Sequence, residues 1–550
     1  MQKSAVVVVI ALLVLVFTAI ALVPAAAPAV AGPAVAPNLL PASQVSPAVE
    51  AAALLTPTHV FLPLVTNNVR TACASIDSPF ALQIAALSEV VPASGDLETQ
   101  AVTQEEWLAW YEEVFPDLVV ALQESGACWT RVRIEWESIQ PEAPPAPSNW
   151  DWWGFDRMAA LVSTGVQLIG TIDDVPDWAR GEPYDLRCSS ISDEALPAFG
   201  QFVTELVNRY KQPPWNIHTW ELRNEPDGTE EWLALAGIGC TGDFGNRYAT
   251  MLAWAYPRIK AADPTATVLM GGLAYDNFTE YGGPFNRYFV DDVMANGGAQ
   301  YIDAVNFHYF HDFYREWERW VPEGNPPTCG DVEDGIGEPY DAWGIDLIAK
   351  TNHFRNRLST CSQVNKPVWI TELAEHGNPD EPITLPQQAR YVIQGHARGL
   401  AAGAENITWF ALITPFYDKA DQGLLYDDLS PKPAYYAYQT LTSELTGWDY
   451  AYTLNVANVE GYVFRNSQGE EKTVAWANGT VGVPVPLTIA PTSQVRLVDR
   501  AGVVTDVQDG GTGDLDGQVN SSVRILLPAP PVDNDPAPPR YSAEPLFISK

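Results

Sequence analysis

Two glutamates stand where predicted β-strands end. The run that starts at Ile217 alternates apolar and polar residues and stops at Glu225, directly before Pro226. Proline has no N–H to donate to a sheet, so a central strand is expected to end there. A second apolar run, from Val368, ends at Glu372. Two carboxyl groups at strand ends could perform acid–base and nucleophilic chemistry if one is protonated and the other ionised.

The elements that must position these glutamates alternate along most of the chain. We predict strands at 80–87, 129–135, 166–172, 217–225, 267–273, 302–310, 366–372 and 406–413, and helices at 104–125, 151–164, 193–210, 245–262, 341–358, 384–402 and 433–445. Pro116 is expected to break or kink the first helix.

Eight strands alternating with helices indicate an α/β fold of the (β/α)8 TIM-barrel type over residues 77–446. An open doubly wound sheet is disfavoured because no Gly-rich phosphate loop follows the first strand. In such a barrel, functional residues gather at the C-terminal ends of the strands. Glu225 would end the fourth strand and Glu372 the seventh.

The C-terminal part has a different pattern. After Trp448 the helical periodicity gives way to short alternating runs at 459–464, 473–477, 494–498 and 522–526, with Gly, Asn and Asp between them. This pattern predicts a small β-sandwich over residues 447–550. Residues 545–548 are expected to add an edge strand.

The N-terminus resembles an export signal. An apolar run from Ala5 to Val23 is followed by small residues, which predicts a secretory signal peptide over residues 1–27. The run is also long enough to span a bilayer, so an uncleaved N-terminal membrane anchor is the alternative. Residues 28–76, rich in Ala and Pro, form a predicted linker and lead-in. Either way, the rest of the chain is expected to be secreted or extracellular.

Cysteine usage agrees with an oxidising compartment. Six cysteines are widely spaced and form no Cys-x-x-Cys motif, so disulfides are favoured over zinc. Pairing between neighbours predicts the disulfides Cys73–Cys128, Cys188–Cys240 and Cys329–Cys361. The alternative is that some of the six remain buried free thiols.

The charge of the chain excludes polyanionic partners. The 31 basic and 68 acidic residues give a formal net charge of −37. Such a chain is repelled by nucleic acids and by anionic lipid headgroups. The oligomeric state cannot be predicted from the sequence.

The motifs around the two glutamates resemble those of clan A glycoside hydrolases, closest to the family 39-like and family 5-like enzymes. Asn224-Glu225-Pro226 resembles the acid/base position and Glu372 the nucleophile position. Further motifs agree over about residues 77–445: Val132-Arg133, Trp136, Ile139-Gln140-Pro141, Trp150-Asp151, Phe155-Asp156, Pro176-Asp177-Trp178-Ala179, Gly423-Leu424-Leu425 and Pro431-Lys432-Pro433.

The resemblance implies a secreted, retaining enzyme that cleaves β-linked polysaccharides or oligosaccharides without metal or organic cofactor. It implies that Arg133 keeps Glu372 ionised and that Asn224 binds the sugar 2-hydroxyl. It also implies substrate contacts from His308, Trp178, Trp409, Trp136 and Tyr309.

Tyr309 departs from the family pattern. The family 5-like enzymes carry His-x-Tyr, but here Tyr309 directly follows His308, and strand alternation places Phe310 on the histidine's side.

Two other classes of protein are alternatives. A non-catalytic carbohydrate-binding surface protein could use the same barrel, and sugar binding without turnover would identify it. An exported esterase would need Gly-x-Ser-x-Gly on a strand-to-helix turn, and the sequence has no such pentapeptide. Sugar and linkage specificity, and endo against exo action, cannot be predicted.

Overall fold

Eight parallel strands form the inner layer of the larger part of the molecule. In the computed structural model, the described residues are Cys73, 78–84, 114–144, 150–152, 154–156, 159, 165–230, 238–276, 278–279, 283–310, 347–362, 365–414, 421–478, 482–529 and 543–550. The strands are β1 (Phe80–Leu82), β2 (Trp129–Glu135), β3 (Gln167–Asp173), β4 (Thr219–Asn224), β5 (Thr267–Gly272), β6 (Val305–Phe310), β7 (Val368–Ala374) and β8 (Ala404–Trp409).

These strands close into a barrel. Their order is β5-β4-β3-β2-β1-β8-β7-β6, and parallel bridges from Leu269 to Ala304 and from Leu273 to Phe307 join β5 to β6. The predicted (β/α)8 barrel is therefore confirmed. Its outer face is apolar because parallel strands are covered by helices, whereas its inner face carries buried polar residues such as Glu221, which matter below.

The described helices are α1 (Phe115–Glu124), α2 (Trp136–Ile139), α3 (Leu196–Tyr210), α4 (Gly245–Ala262), α5 (Phe289–Ala295), α6 (Leu347–Ser362), α7 (Thr384–Ala401) and α8 (Pro433–Leu445), with two 3-10 turns at Asp177–Ala179 and Gly298–Tyr301. Pro116 lies in the first turn of α1, where its missing N–H costs nothing. A helix that starts at Phe115, after a turn at Val114, agrees with the predicted break near Pro116. Residues 104–113 of that predicted helix lie outside the described ranges.

The C-terminal strands are β9 (Trp448–Thr453), β10 (Val459–Asn466), β11 (Glu471–Ala477), β12 (Val485–Ile489), β13 (Gln494–Val498), β14 (Val504–Gln508), β15 (Val523–Leu527) and β16 (Leu546–Ser549). A six-stranded antiparallel sheet, β14-β13-β16-β11-β10-β9, packs with the pair β12-β15, as predicted for a β-sandwich. The strand predicted at 545–548 forms as β16, but it does not lie at an edge, because it pairs on both sides, with β11 and β13.

Charged contacts join the barrel to the sandwich within one compact unit, Leu64–Lys550. Arg398 on α7 donates two hydrogen bonds to Glu460 on β10, at 2.7 and 2.9 Å. Glu444 on α8 accepts from Lys472 Nζ at 2.6 Å and from Arg496 Nη2 at 3.1 Å. The two parts therefore pack through buried and partly buried ion pairs as well as apolar residues.

Two of the three predicted disulfides are present. Cys73 bonds to Cys128 and Cys188 to Cys240. The third prediction involves Cys329 and the side chain of Cys361, which lie outside the described residues, as do the predicted signal peptide and all of residues 28–76 except Cys73. None of the helices within the described ranges combines the length and the apolar composition needed to cross a bilayer.

Candidate active site

The end of β4 has an unusual backbone conformation that presents two consecutive side chains to the barrel interior. Arg223 has φ +78° and Glu225 has φ +41°, a region that residues with a Cβ rarely adopt. The turn at Arg223 interrupts the usual alternation. As a result Asn224 reaches Arg131 on β2, and Glu225 reaches His308 on β6.

Glu225 and Glu372 lie together at the strand ends. Glu225 Oε1 is 2.8 Å from His308 Nδ1, and Glu372 Oε2 is 3.4 Å from the same nitrogen. Oxygen atoms of the two carboxyl groups and the imidazole nitrogen all lie within 4.8 Å of one another. Both glutamate residues are 6% exposed. The two glutamates thus form one nearly dry pair.

The cation beside Glu372 is Arg131. Its Nη1 donates to Glu372 Oε1 at 2.5 Å, and its Nη2 donates to Asn224 Oδ1 at 2.7 Å. The predicted contact between Arg133 and Glu372 is therefore wrong. Both arginines point inward from β2, but Arg133 is one pleat nearer the strand end, where it pairs with Asp174 at 2.9 Å and Asp173 at 3.3 Å.

His308 is fully buried beneath the two carboxyl groups. Its Nε2 is 3.2 Å from Thr371 Oγ1. The ring fits because residue 272 is glycine: a Cβ there would lie 2.1 Å from His308 Nε2. The predicted contact between His308 and a sugar conflicts with this burial, since the imidazole contacts the carboxyl pair instead.

Three of the predicted aromatic contacts conflict with the structure. Trp409 is fully buried on the outer face of β8, donates to Gln422 O at 3.2 Å and stacks on His396 of α7. Trp136 is buried and stacks on Phe202. Tyr309 lies on the opposite face of β6 from His308, with Lys350 Nζ 5.8 Å from its ring centroid. All three side chains lie in the hydrophobic core between the barrel strands and the surrounding helices.

Trp178 differs from these three because it is only partly buried. Its ring packs edge to face on Trp136, and its Nε1 donates to Gln140 O at 3.1 Å. The sequence interpretation overlooked Phe410, which follows β8 and packs edge to face on Phe310 at 5.7 Å. Alternation did place Phe310 on the side of His308, and its ring lies 6.4 Å from the imidazole.

Burial sets the protonation of the pair. It raises the pKa of Glu225 to about 8, and the charge of Asp276 adds to the increase. Burial raises the pKa of Glu372 to about 7, against the opposing effects of His308 and Arg131. It lowers the pKa of His308 to about 4. Near neutral pH the imidazole is therefore uncharged, and a single proton resides preferentially on Glu225.

The guanidinium of Arg131 keeps its charge. Burial alone would lower its pKa, but the charges of Glu221 and Glu372 outweigh that effect and raise it. The pair and His308 offer donor atoms of the types that divalent cations accept. Because Arg131 already supplies a positive charge against Glu372, we assign no metal to this place.

The fold thus brings two buried carboxyl groups together at the C-terminal ends of β4 and β7. Comparison with solved structures shows the same fold. A family 39 glycoside hydrolase from the gut symbiont Bacteroides cellulosilyticus WH2 is 17% identical, with a TM-score of 0.55 over 86% of this chain and 81% of that one.

Two further structures have the same fold. The catalytic domain of GH30 xylanase C from Talaromyces cellulolyticus is 14% identical, with a TM-score of 0.52 over 86% of this chain and 97% of that one. A glucosidase from Croceicoccus marinus is 15% identical, with a TM-score of 0.51 over 78% and 91%. No protein-family model and no curated protein matches the chain.

Proposed function

We propose that this protein is a retaining glycoside hydrolase that cleaves β-linked polysaccharides or oligosaccharides. The observation that carries the proposal is the approach of the Glu225 and Glu372 carboxyl groups to within 4.8 Å around His308. Retaining glycosidases hold their carboxyl groups about 5–5.5 Å apart, whereas inverting enzymes leave about 6.5–9.5 Å for a water molecule.

The chemistry assigns a different task to each glutamate. In the first step, Glu372 Oε attacks the anomeric carbon while the Glu225 carboxyl gives its proton to the departing glycosidic oxygen. In the second step, Glu225 takes a proton from water, the water oxygen bonds to the anomeric carbon, and Glu372 leaves as a carboxylate. Two inversions at that carbon give net retention.

The charges at the site support this division. The raised pKa of Glu225 keeps it protonated for the first step, and the contact with Arg131 favours the ionised form of Glu372. Asn224 directly precedes Glu225 and accepts a hydrogen bond from Arg131, which also binds Glu372. We therefore assign to Asn224 the contact with the sugar 2-hydroxyl, which strengthens in the transition state. Trp178, still partly exposed, is the proposed stacking surface.

The substrate class and the location are inferred from the similar structures and from the disulfides. The similar structures are named as a family 39 glycoside hydrolase, a xylanase and a glucosidase, which supports a glycan substrate. Two disulfides fit an extracellular or secreted protein. We propose that residues 1–27 direct export, as a signal peptide or an anchor.

The test is turnover and its stereochemistry. The purified chain would be offered aryl β-glycosides and β-glucan, xylan and mannan, and proton NMR would follow the anomer that forms first. We expect the β-anomer to appear first and to mutarotate afterwards. First release of the α-anomer would overturn retention, and sugar binding with no hydrolysis on any substrate would favour the non-catalytic carbohydrate-binding protein.

A further inference from the structure

Glu221 lies inside the barrel, farther from the C-terminal strand ends than the catalytic pair, and is completely buried. It is on β4, four residues before Glu225. Its carboxylate accepts hydrogen bonds from five other strands: from Arg131 Nε at 2.5 Å, Thr171 Oγ1 at 2.7 Å, Gly272 N at 2.9 Å, Asn306 Nδ2 at 2.7 Å and Thr371 Oγ1 at 3.1 Å. Such a set of donors suits a charged carboxylate held in one orientation.

The contact with Arg131 connects Glu221 to the catalytic pair. Nε and Nη2 of the guanidinium bind Glu221 at 2.5 and 3.2 Å, Nη1 binds Glu372, and Nη2 also binds Asn224. The guanidinium is planar, with donors in a fixed fork. Holding one edge of it against Glu221 therefore fixes the direction of the edge that faces Glu372.

We propose that Glu221 is a positioning residue that holds Arg131 against Glu372 and Asn224, and that its negative charge helps the pair of glutamates to retain a proton near neutral pH. The inference rests on the proposed function, because it gives the two carboxyl groups different tasks. Glu221 itself stays below the pair, hydrogen-bonded to the surrounding strands.

The charges around Glu221 give the direction of its effect. The titratable groups that face it are Arg131 from β2, Glu225 after β4, Tyr248 from α4, His308 from β6 and Glu372 from β7. The negative charge of Glu221 adds to the rise in the pKa of both Glu225 and Glu372. Without that charge, Glu221 would no longer offset the positive charge of Arg131, which would then favour the ionised form of Glu372 more strongly.

The first experiment is Glu221→Gln in the full chain, with carboxyl ¹³C NMR of labelled glutamate. The signals of the pair are assigned from Glu225→Gln and Glu372→Gln. We expect both titration midpoints to move to lower pH by about one unit, and the pH optimum of hydrolysis to follow. Unchanged midpoints in a folded Glu221→Gln variant would overturn the proposal.

This measurement needs no substrate. If the proposed glycosidase function is wrong, turnover is absent while the NMR midpoints still report on Glu221. The control is Glu444→Gln, the same substitution at a buried carboxylate on α8, where the barrel meets the sandwich. It should leave both midpoints unchanged.

A second variant separates position from charge and serves if Glu221→Gln does not fold. Glu221→Asp keeps the charge but withdraws the carboxylate by one methylene, so Arg131 loses its fixed edge. We expect kcat to fall about tenfold or more, with midpoints near those of the wild type. A folded Glu221→Asp variant with wild-type kcat and pH profile would overturn the positioning role.

Discussion

Two buried charge clusters in this molecule have opposite compositions. The barrel cluster consists of Glu221, Glu225 and Glu372 around the guanidinium of Arg131, which pairs with the first and the last of them. The contact cluster consists of Glu444 between Lys472 and Arg496, where the barrel meets the sandwich. Carboxyl groups are in excess in one cluster and cations in the other.

The difference in composition reverses the effect on the carboxyl groups. In the barrel cluster, burial raises the pKa of both Glu225 and Glu372. In the contact cluster, burial alone would raise the pKa of Glu444, but hydrogen bonds from Lys472 and Arg496 outweigh it and lower the pKa. Burial acts in the same direction in both clusters, and the cations in contact with the carboxyl group decide whether its effect is outweighed.

The largest effect should come from Glu372→Ala. Loss of the nucleophile should reduce kcat by about 10⁴-fold or more without unfolding the chain, because the side chain is in the cluster with excess negative charge. Added azide should restore part of the activity by entering the space left by the carboxylate. Glu444→Gln is the matched control and should keep its activity. Unchanged hydrolysis by Glu372→Ala would remove Glu372 from the mechanism.

Glu225→Gln should have an effect that depends on the leaving group. Proton donation matters most for poor leaving groups, so kcat/KM should fall by about 10²–10⁴-fold for them and much less for activated aryl glycosides. The alkaline limb of the pH profile, which reports deprotonation of Glu225, should disappear. An equal loss on all substrates would contradict the acid role.

The next prediction compares two arginines on one strand. Arg131→Met removes the charge against Glu372 and should raise its pKa further, so the acidic limb of the pH profile should move to higher pH by about one unit, with kcat lowered about 10- to 100-fold. Arg133→Met should leave the acidic limb in place, since Arg133 pairs with Asp173 and Asp174. A shift with Arg133→Met and none with Arg131→Met would contradict the geometry of the barrel cluster.

These two arginines show what the sequence can and cannot predict. The barrel and the convergence of Glu225 and Glu372 were predictable, because proline and the end of an apolar run mark where a strand stops. Alternation also shows that Arg131 and Arg133 share a face. The height of each along the barrel depends on the stagger between neighbouring strands, which no local pattern encodes.

The aromatic residues were harder to predict for a related reason. Trp409 and Phe410 are adjacent at the end of β8, and Trp409 packs on His396 of α7 whereas Phe410 packs on Phe310. An error of one residue in the predicted register therefore places the wrong aromatic ring inside the barrel. Glu221 carries a signal of another kind, because an acidic residue in the middle of an apolar strand indicates that the barrel holds a buried partner for it.

The smallest effects concern stability, and the two clusters should respond to pH with opposite sign. Glu444 has a folded-state pKa below the usual 4.5, so its contribution is present above about pH 4.5 and is lost as pH falls through the folded value. Glu444→Gln should therefore lower the free energy of unfolding by about 2 kcal/mol at pH 7, and by less at pH 4.

Glu225 should show the reverse. Its folded-state pKa, about 8, is above the usual 4.5, so the native protein holds a proton that the unfolded chain releases, and stability falls as pH rises between these values. The free energy of unfolding of Glu225→Gln should therefore exceed that of the wild type by about 2 kcal/mol at pH 8, and the difference should shrink toward pH 4. Urea unfolding followed by tryptophan fluorescence at both pH values measures each effect. A carboxyl group held for proton transfer should lower the free energy of unfolding, whereas a fixed ion pair should raise it. Equal destabilisation of both variants at pH 8 would therefore contradict the proposed difference between the two clusters.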